Sequence, residues 1–127
     1  MTEFTEQRTL IAWFRATYPK YEKCIRLSLS GVNLPFGPKA ARMISQFKSQ
    51  GWVKGESDLF FAIPNLTFHG LFIEIKNFDK KATPEQLDYI EVMLNLGYQA
   101  LVIEGAEAAQ QAITDYMTTA FIIHQLG

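Results

Sequence analysis

The segment GESDLFFAIPNLTFHGLFIEIKN, Gly55 to Asn77, constrains the chain more than any other. It holds two short apolar runs, Ser57–Ile63 and Gly70–Lys76, separated by PNLTFH, where proline and asparagine break regular structure. Strands this close in sequence pair as an antiparallel, hairpin-like unit, because a parallel pair needs a longer crossover. Alternate residues of a strand point to the same face. Glu74 and Lys76 therefore leave one face of the second run, and Ile73 and Ile75 leave the other. Burying an unpaired charge is costly, so the two charged residues are paired, at an edge, or turned to a site. Asp58, at the start of the first run, lies across from Glu74 if the two strands pair antiparallel.

The flanking sequence supplies what packs on these strands. Leu10, Ile11, Phe14 and Tyr18 recur at helical spacing, predicting a helix from Thr2 or Thr5 to Tyr18 that Pro19 stops. Cys24, Ile25, Leu27 and Leu29 predict a strand over Lys23–Ser30, and GVNLPFGP reads as loop. Pro38 suits the first position of a second helix ending near Gly51, with Ala40, Ile44 and Phe47 inward and Lys39, Arg42, Gln46 and Ser49 outward. Thr83-Pro84-Glu85-Gln86 is a strong helix start, and Leu87, Ile90 and Leu94 form the apolar stripe before Gly97. The nearly continuous apolar run YQALVI reads as a buried strand. A last helix over Ala106–Ile123 places Ala109, Ile113, Met117, Ala120 and Phe121 on one face. The order α-β-α-β-β-α-β-α predicts an α/β fold with a central mixed sheet flanked by helices, one domain over residues 1–127.

Composition narrows the functions such a fold can serve. Hydrophobic residues at 48% and charged residues at 20% are those of an ordinary globular domain. No apolar run approaches the roughly 18 residues of a membrane span, and MTEFTEQR is too acidic for a signal peptide, so a cytoplasmic protein is expected. Cys24 is the single cysteine, which excludes an internal disulfide and a cysteine-rich zinc site. Net charge is only −1, but it is unevenly spread. Between Arg8 and Lys54 nine bases face a single acid, Glu22; from Gly55 onward ten acids face Lys76, Lys80 and Lys81. A nearly neutral chain of this kind can still present a basic face to a polyanion, with Lys39, Arg42, Lys48 and Lys54 the candidates for phosphate contact.

Two carboxylates converging on one point are what a hard divalent cation requires. Mg²⁺ takes oxygen ligands, keeps several waters, and is typically held by one or two carboxylates plus substrate phosphate. Such an ion acidifies water and neutralises charge on a phosphoryl group. A lysine two residues past the second carboxylate can orient that water, help deprotonate it, or stabilise the charge. Asp58, Glu74 and Lys76 complete this logic for phosphodiester hydrolysis. Taken alone the pattern is weak, because Glu and Lys alternate on the solvent face of many strands.

An ordered set of motifs makes it specific. The first helix reads E-x-x-x-Q (Glu3, Gln7) and is followed by WFRATYP, KGESDLFFAIP, HGLFIEIKN, TPEQLDYI and GYQALVIEG, and then a closing helix. In this order the chain, from Glu3 to Met117, resembles the VRR-NUC domains of the PD-(D/E)xK nuclease superfamily, in particular the small stand-alone phage and bacterial type. The resemblance implies a restriction-endonuclease-like PD-(D/E)xK core. It makes Asp58 and Glu74 the metal carboxylates, the Ile75 backbone carbonyl a further ligand, and Lys76 the catalytic lysine. Glu3 matches an acidic residue of the first helix that completes the metal environment, usually through water, and Glu6, one turn on, is its rival. Gln86 matches a glutamine that supports the site or touches the scissile strand. Ser57 stands where the family usually has proline, a change of backbone shape and not of ligand.

The resemblance further implies a Mg²⁺- or Mn²⁺-dependent endodeoxyribonuclease, structure-selective for branched DNA such as four-way (Holliday) junctions, leaving 5′-phosphate ends. A homodimer suits a two-fold symmetric substrate, with AFIIHQ a candidate interface segment or simply core. The alternative is a non-cutting nucleic-acid-binding or assembly module on the same fold, which binds without metal. His69 is expected to pack within its loop, His124 to be solvated, and Trp13 and Trp52 to be core or interface.

Overall fold

Thr2 starts the first helix, α1 (Glu3–Thr17), its hydroxyl accepting a hydrogen bond from the Thr5 amide at 3.1 Å. This is a computed structural model describing residues 2–28 and 37–126, with side chains to residue 120. Pro19 ends α1 and opens a 3₁₀ helix, Pro19–Cys24, whose Tyr21 is buried. The strand expected over Lys23–Ser30 is therefore shorter. Lys23 and Cys24 belong to the 3₁₀ turn, and β1 is Ile25–Leu27. Leu29, Ser30 and residues 31–36 of the expected loop lie outside the described residues.

The second helix, α2, is Pro38–Ser49, and Gly51 (φ 109°) follows its end. Ala40 is buried, Ile44 and Phe47 are half-buried, and Lys39, Arg42, Gln46, Lys48 and Ser49 are exposed, as the spacing requires. Strand β2 is Leu59–Phe61 and strand β3 is Leu71–Lys76. In the connection between them the Asn65 side chain accepts from the amides of Thr67 (2.9 Å) and Phe68 (2.7 Å), a local turn that competes with strand. Helix α3, Pro84–Asn95, begins with a complete capping box from Thr83 and Gln86. Strand β4, Gln99–Glu104, leads directly into α4, Gly105–Leu126.

The four strands form one mixed sheet in the order β1-β2-β3-β4, antiparallel between β1 and β2 and between β2 and β3, parallel between β3 and β4. Helices α1 and α4 cover one face. Leu10 and Phe14 from α1, with Ala106, Ala109, Ile113, Met117 and Ala120 from α4, meet Leu59, Phe61, Leu71, Ile73 and Ile75 in one core. The alanines let α4 lie close, and the Phe14 ring packs 5.0 Å from that of Phe61. The side chain of Phe121 and those of the AFIIHQ segment after Ala120, His124 included, lie outside the described residues. Among the described residues no helix is long and apolar enough to cross a membrane.

Helix α3 lies towards the other face, and there the expected stripe holds only at Ile90, which is half-buried. Leu87 and Leu94 are 54% and 44% exposed, while Tyr89 turns inward, its ring 5.6 Å from Phe72. The loop before β2 approaches the start of this helix closely. A Cβ on Gly55 would lie 2.7 Å from the Glu85 backbone, so only glycine lets that loop rest on the first turn of α3. Phe14→Ala removes a fully buried ring from the α1 side of the core and is expected to destabilise the fold by about 3–5 kcal/mol in urea unfolding.

Candidate metal centre and active site

The β2–β3 register, Leu59↔Ile73, sets Asp58 opposite Glu74 at the end of the ladder. Phe72, Glu74 and Lys76 alternate on the face opposite the α1–α4 core. Asp58, Glu74 and Lys76 are all buried, at 8%, 2% and 8% exposure. Asp58 Oδ2 accepts the Ile75 amide at 3.0 Å, and the Asp58 carbonyl accepts the Ser28 amide at 2.8 Å. A strand residue sends its N–H and C=O to the same edge, so the Ile75 carbonyl faces Asp58 as well. Lys76 Nζ stands 4.0 Å from Glu74 Oε2, and Glu74 Oε1 is buried with no hydrogen-bond partner.

The Asp58 carboxylate lies close enough to Glu74 to disfavour a second negative charge there. Burial, then the hydrogen bond and charge of Asp58, push Glu74 up to about 9; the charge of Glu3 adds to the rise, and Lys76 opposes it. Glu3 therefore acts on the site from α1. Its Oε2 accepts the Asn77 amide at 3.1 Å, immediately beyond Lys76. Glu6, its rival in the sequence, is committed elsewhere: its carboxylate accepts the Ala106 amide in the first turn of α4, a favourable place for negative charge.

The remaining candidates are placed differently. Gln86 Oε1 accepts the Thr83 amide at 2.9 Å, so this carbonyl is spent on the helix cap and only the amide nitrogen is left for a substrate. Lys39 and Arg42 line the outer side of α2, and Lys48, also exposed, lies round the helix from them near its C-terminal end. Lys54 faces Glu85 at 3.9 Å in an exposed pair that solvent largely screens. His69 packs edge-on against Tyr98, its ring against Gly97, and its main-chain amide bonds the Gly97 carbonyl.

The oxygens fit a hard divalent cation. Among the described residues no group of three His, Cys, Asp or Glu side chains is arranged to hold a metal ion. Mg²⁺ and Mn²⁺ do not need three, because two carboxylates and a carbonyl leave the remaining octahedral positions to water and phosphate. The unpartnered Glu74 oxygen and the crowding of Asp58 against Glu74 mark a place where a cation would relieve both.

Beside Lys76 lies an open cleft of about 460 Å³ lined by Glu6, Lys76, Asn77, Phe78, Asp79, Glu104 and Gly105. Sequence reasoning did not single out Phe78, Asp79 or Glu104. The signal available was register: in the parallel β3–β4 pair Lys76 stands opposite Glu104, so whatever follows either strand borders the same cleft.

Burial and Asp58 hold Glu74 in the fold above the value it has once unfolded. Between its ordinary value of 4.5 and about 9 the folded chain binds more protons than the unfolded chain. This contribution is full below the lower value and is lost as pH rises through the upper one. The metal-free protein is accordingly expected to show a falling thermal midpoint from about pH 5 to about pH 9, and Glu74→Gln a flatter profile. Parallel profiles would show that burial of this carboxyl is not the cause.

Compared by sequence with protein-family models and with curated proteins, the chain matches none. Compared by structure, it is similar to a solved chain described as a VRR_NUC domain protein, with a TM-score of 0.76 and 29% identity over 94% of this chain and 90% of the other. The four-stranded mixed sheet and its flanking helices are those of a restriction-endonuclease-like α/β core. In fold and in sequence, over nearly its whole length, the chain resembles the VRR_NUC domain.

Proposed function

We propose that this chain is a divalent-metal-dependent endonuclease that hydrolyses DNA phosphodiesters. One observation carries the reading: two buried carboxylates and a buried lysine meet on one face of the sheet, with a carboxylate oxygen left unpartnered. The structural neighbour supports it, since its description names a nuclease domain.

Asp58, Glu74 and the Ile75 carbonyl would hold Mg²⁺ or Mn²⁺. The bound ion would supply positive charge to the phosphoryl oxygens and acidify a water for in-line attack. Asp58 is held in place by the Ile75 amide and by the strand pairing at Ser28, so its carboxylate needs little reorganisation to bind. Lys76, buried and 4.0 Å from Glu74, is placed to orient the attacking water and to stabilise charge on the phosphoryl group. Glu3, fixed by the Asn77 amide, adds an acceptor at the Lys76 end that would complete the surroundings of the ion through water. The Gln86 amide nitrogen is a donor for the scissile strand.

DNA with branches, four-way junctions among them, is the substrate that the resemblance favours, and a homodimer would bring two such sites to symmetric strands. The basic outer side of α2 would take the flanking phosphates.

Labelled four-way junction, flap, nicked and linear duplex DNA, incubated with Mg²⁺, Mn²⁺ or EDTA, tests the reading. Cutting is expected only with metal, and Asp58→Ala, Glu74→Ala and Lys76→Ala are each expected to lower the rate by about a hundredfold or more. Binding without cutting under every metal, unchanged in the variants, would make the chain a non-cutting binding module. Combined substitution of Lys39, Arg42 and Lys48 by alanine is expected to weaken DNA binding for all sequences and to reduce its salt dependence, by roughly 0.9 in log–log slope for each lost phosphate contact. An unchanged slope would remove α2 from the interface.

A further inference from the structure

Phe78 is 89% exposed, the highest value for a large apolar side chain among the described residues. Its position is not that of a loose surface residue. It follows Lys76 by two residues, in a turn closed by the Lys80 amide on the Asn77 carbonyl at 3.0 Å. The root of that turn is fixed from α1, where Glu3 accepts the Asn77 amide at 3.1 Å. The backbone of Phe78 is thus anchored at the mouth of the cleft that begins at Lys76, and the residue lines it.

The rest of the cleft states what the ring could meet. Glu6, Asp79 and Glu104 line it with carboxylates, which repel a phosphate backbone. The same carboxylates accept hydrogen bonds, and the exocyclic amino groups of cytosine, adenine and guanine donate them. An aromatic face beside acceptors suits the flat ring and amino edge of a nucleobase. In continuous duplex both faces of each base are already stacked and its edge is paired, so only an unpaired base has a face to offer.

We propose that Phe78 is the stacking platform of a nucleobase subsite, on which an unpaired base lies next to the phosphate handled at Asp58, Glu74 and Lys76. The inference rests on the nuclease reading above and deepens it: Phe78 is a positioning residue that selects DNA with an unstacked base beside the cut. Lys80 and Lys81, both exposed, follow it in the chain and can take the phosphates on that side.

The test uses the full chain with two probes, a continuous duplex and the same duplex carrying unpaired nucleotides, with 2-aminopurine at the unpaired positions. Binding is measured in EDTA and cleavage in Mg²⁺. Phe78→Ala is expected to lower the preference for the unpaired probe over continuous duplex roughly ten- to hundredfold in binding, and to abolish quenching of 2-aminopurine. Phe78→Trp is expected to restore both, whereas Phe78→Leu, which keeps the apolar bulk and loses the ring, is not. The unfolding midpoint of each variant should match that of the parent, since the side chain contributes little to the core. An unchanged preference and unchanged quenching in Phe78→Ala would overturn the subsite while leaving the nuclease standing if the parent cuts. Phe78-dependent quenching in a protein that cuts nothing would uphold the subsite and sink the nuclease.

Discussion

Asp58 accepts the Ile75 amide at the place where β2 has stopped pairing with β3. The ladder between these strands ends at Leu59↔Ile73, and the next outward-facing amide of β3 would otherwise be an orphan in a buried position. A carboxylate takes the role that a main-chain carbonyl has along the rest of the ladder. The Asp58 carboxylate, the Ile75 main chain and the Glu74 side chain come together where the ladder ends. The site is thus the end of a sheet ladder continued by a side chain. Its rigidity comes from the β-pairing that precedes it.

The other face of the same strand explains why this is tolerated. Ile73 and Ile75 are fully buried among Leu10, Phe14, Ile113 and Met117, so β3 is fixed by apolar packing whatever Glu74 and Lys76 require. Two carboxyl groups and one ammonium then share a pocket from which water is largely removed. Lys76, at 4.0 Å, offsets only part of the imbalance, and burial together with the charge of Asp58 still raises Glu74. Breaking such a buried set by deleting one member leaves the others uncompensated, so the three residues are coupled and their effects will not add.

What was legible in the sequence follows from the range of the interactions. Period two is local, so the shared face of Glu74 and Lys76 could be read directly. Asp58 followed from one further step, antiparallel pairing across a short connection. The capping box at Thr83 and Gln86 spans four residues and was equally plain. The stripe on α3 was less so, because Tyr89 turns inward to meet Phe72 of β3, a partner that nothing within α3 records. Strand β1 was overextended because Cys24 fits strand periodicity as well as it fits a 3₁₀ turn begun by Pro19. Glu3 and Glu6 remained rivals for a similar reason: one helical turn apart, they differ only in what other parts of the chain bring to them.

Those partners show what α1 does for the site. Asn77 is the residue after β3, and Ala106 lies just beyond the end of β4. The strands are parallel and in register at Lys76↔Glu104, so both amides emerge at the same end of the sheet. Glu3 accepts one and Glu6 the other, across 74 and 100 residues of sequence. The first turn of α1 therefore ties the C-terminal ends of both parallel strands, where the chain leaves the sheet and the ladder no longer holds it. One carboxylate is spent on the start of α4, and the other faces the buried acids. The division of labour between Glu3 and Glu6 suits the spacing of two strands, about 4.7–4.9 Å, against a three-residue step along a helix, about 4.5 Å. Matching these two lengths lets a single helical turn brace the metal site from one side and close the cleft beside it from the other.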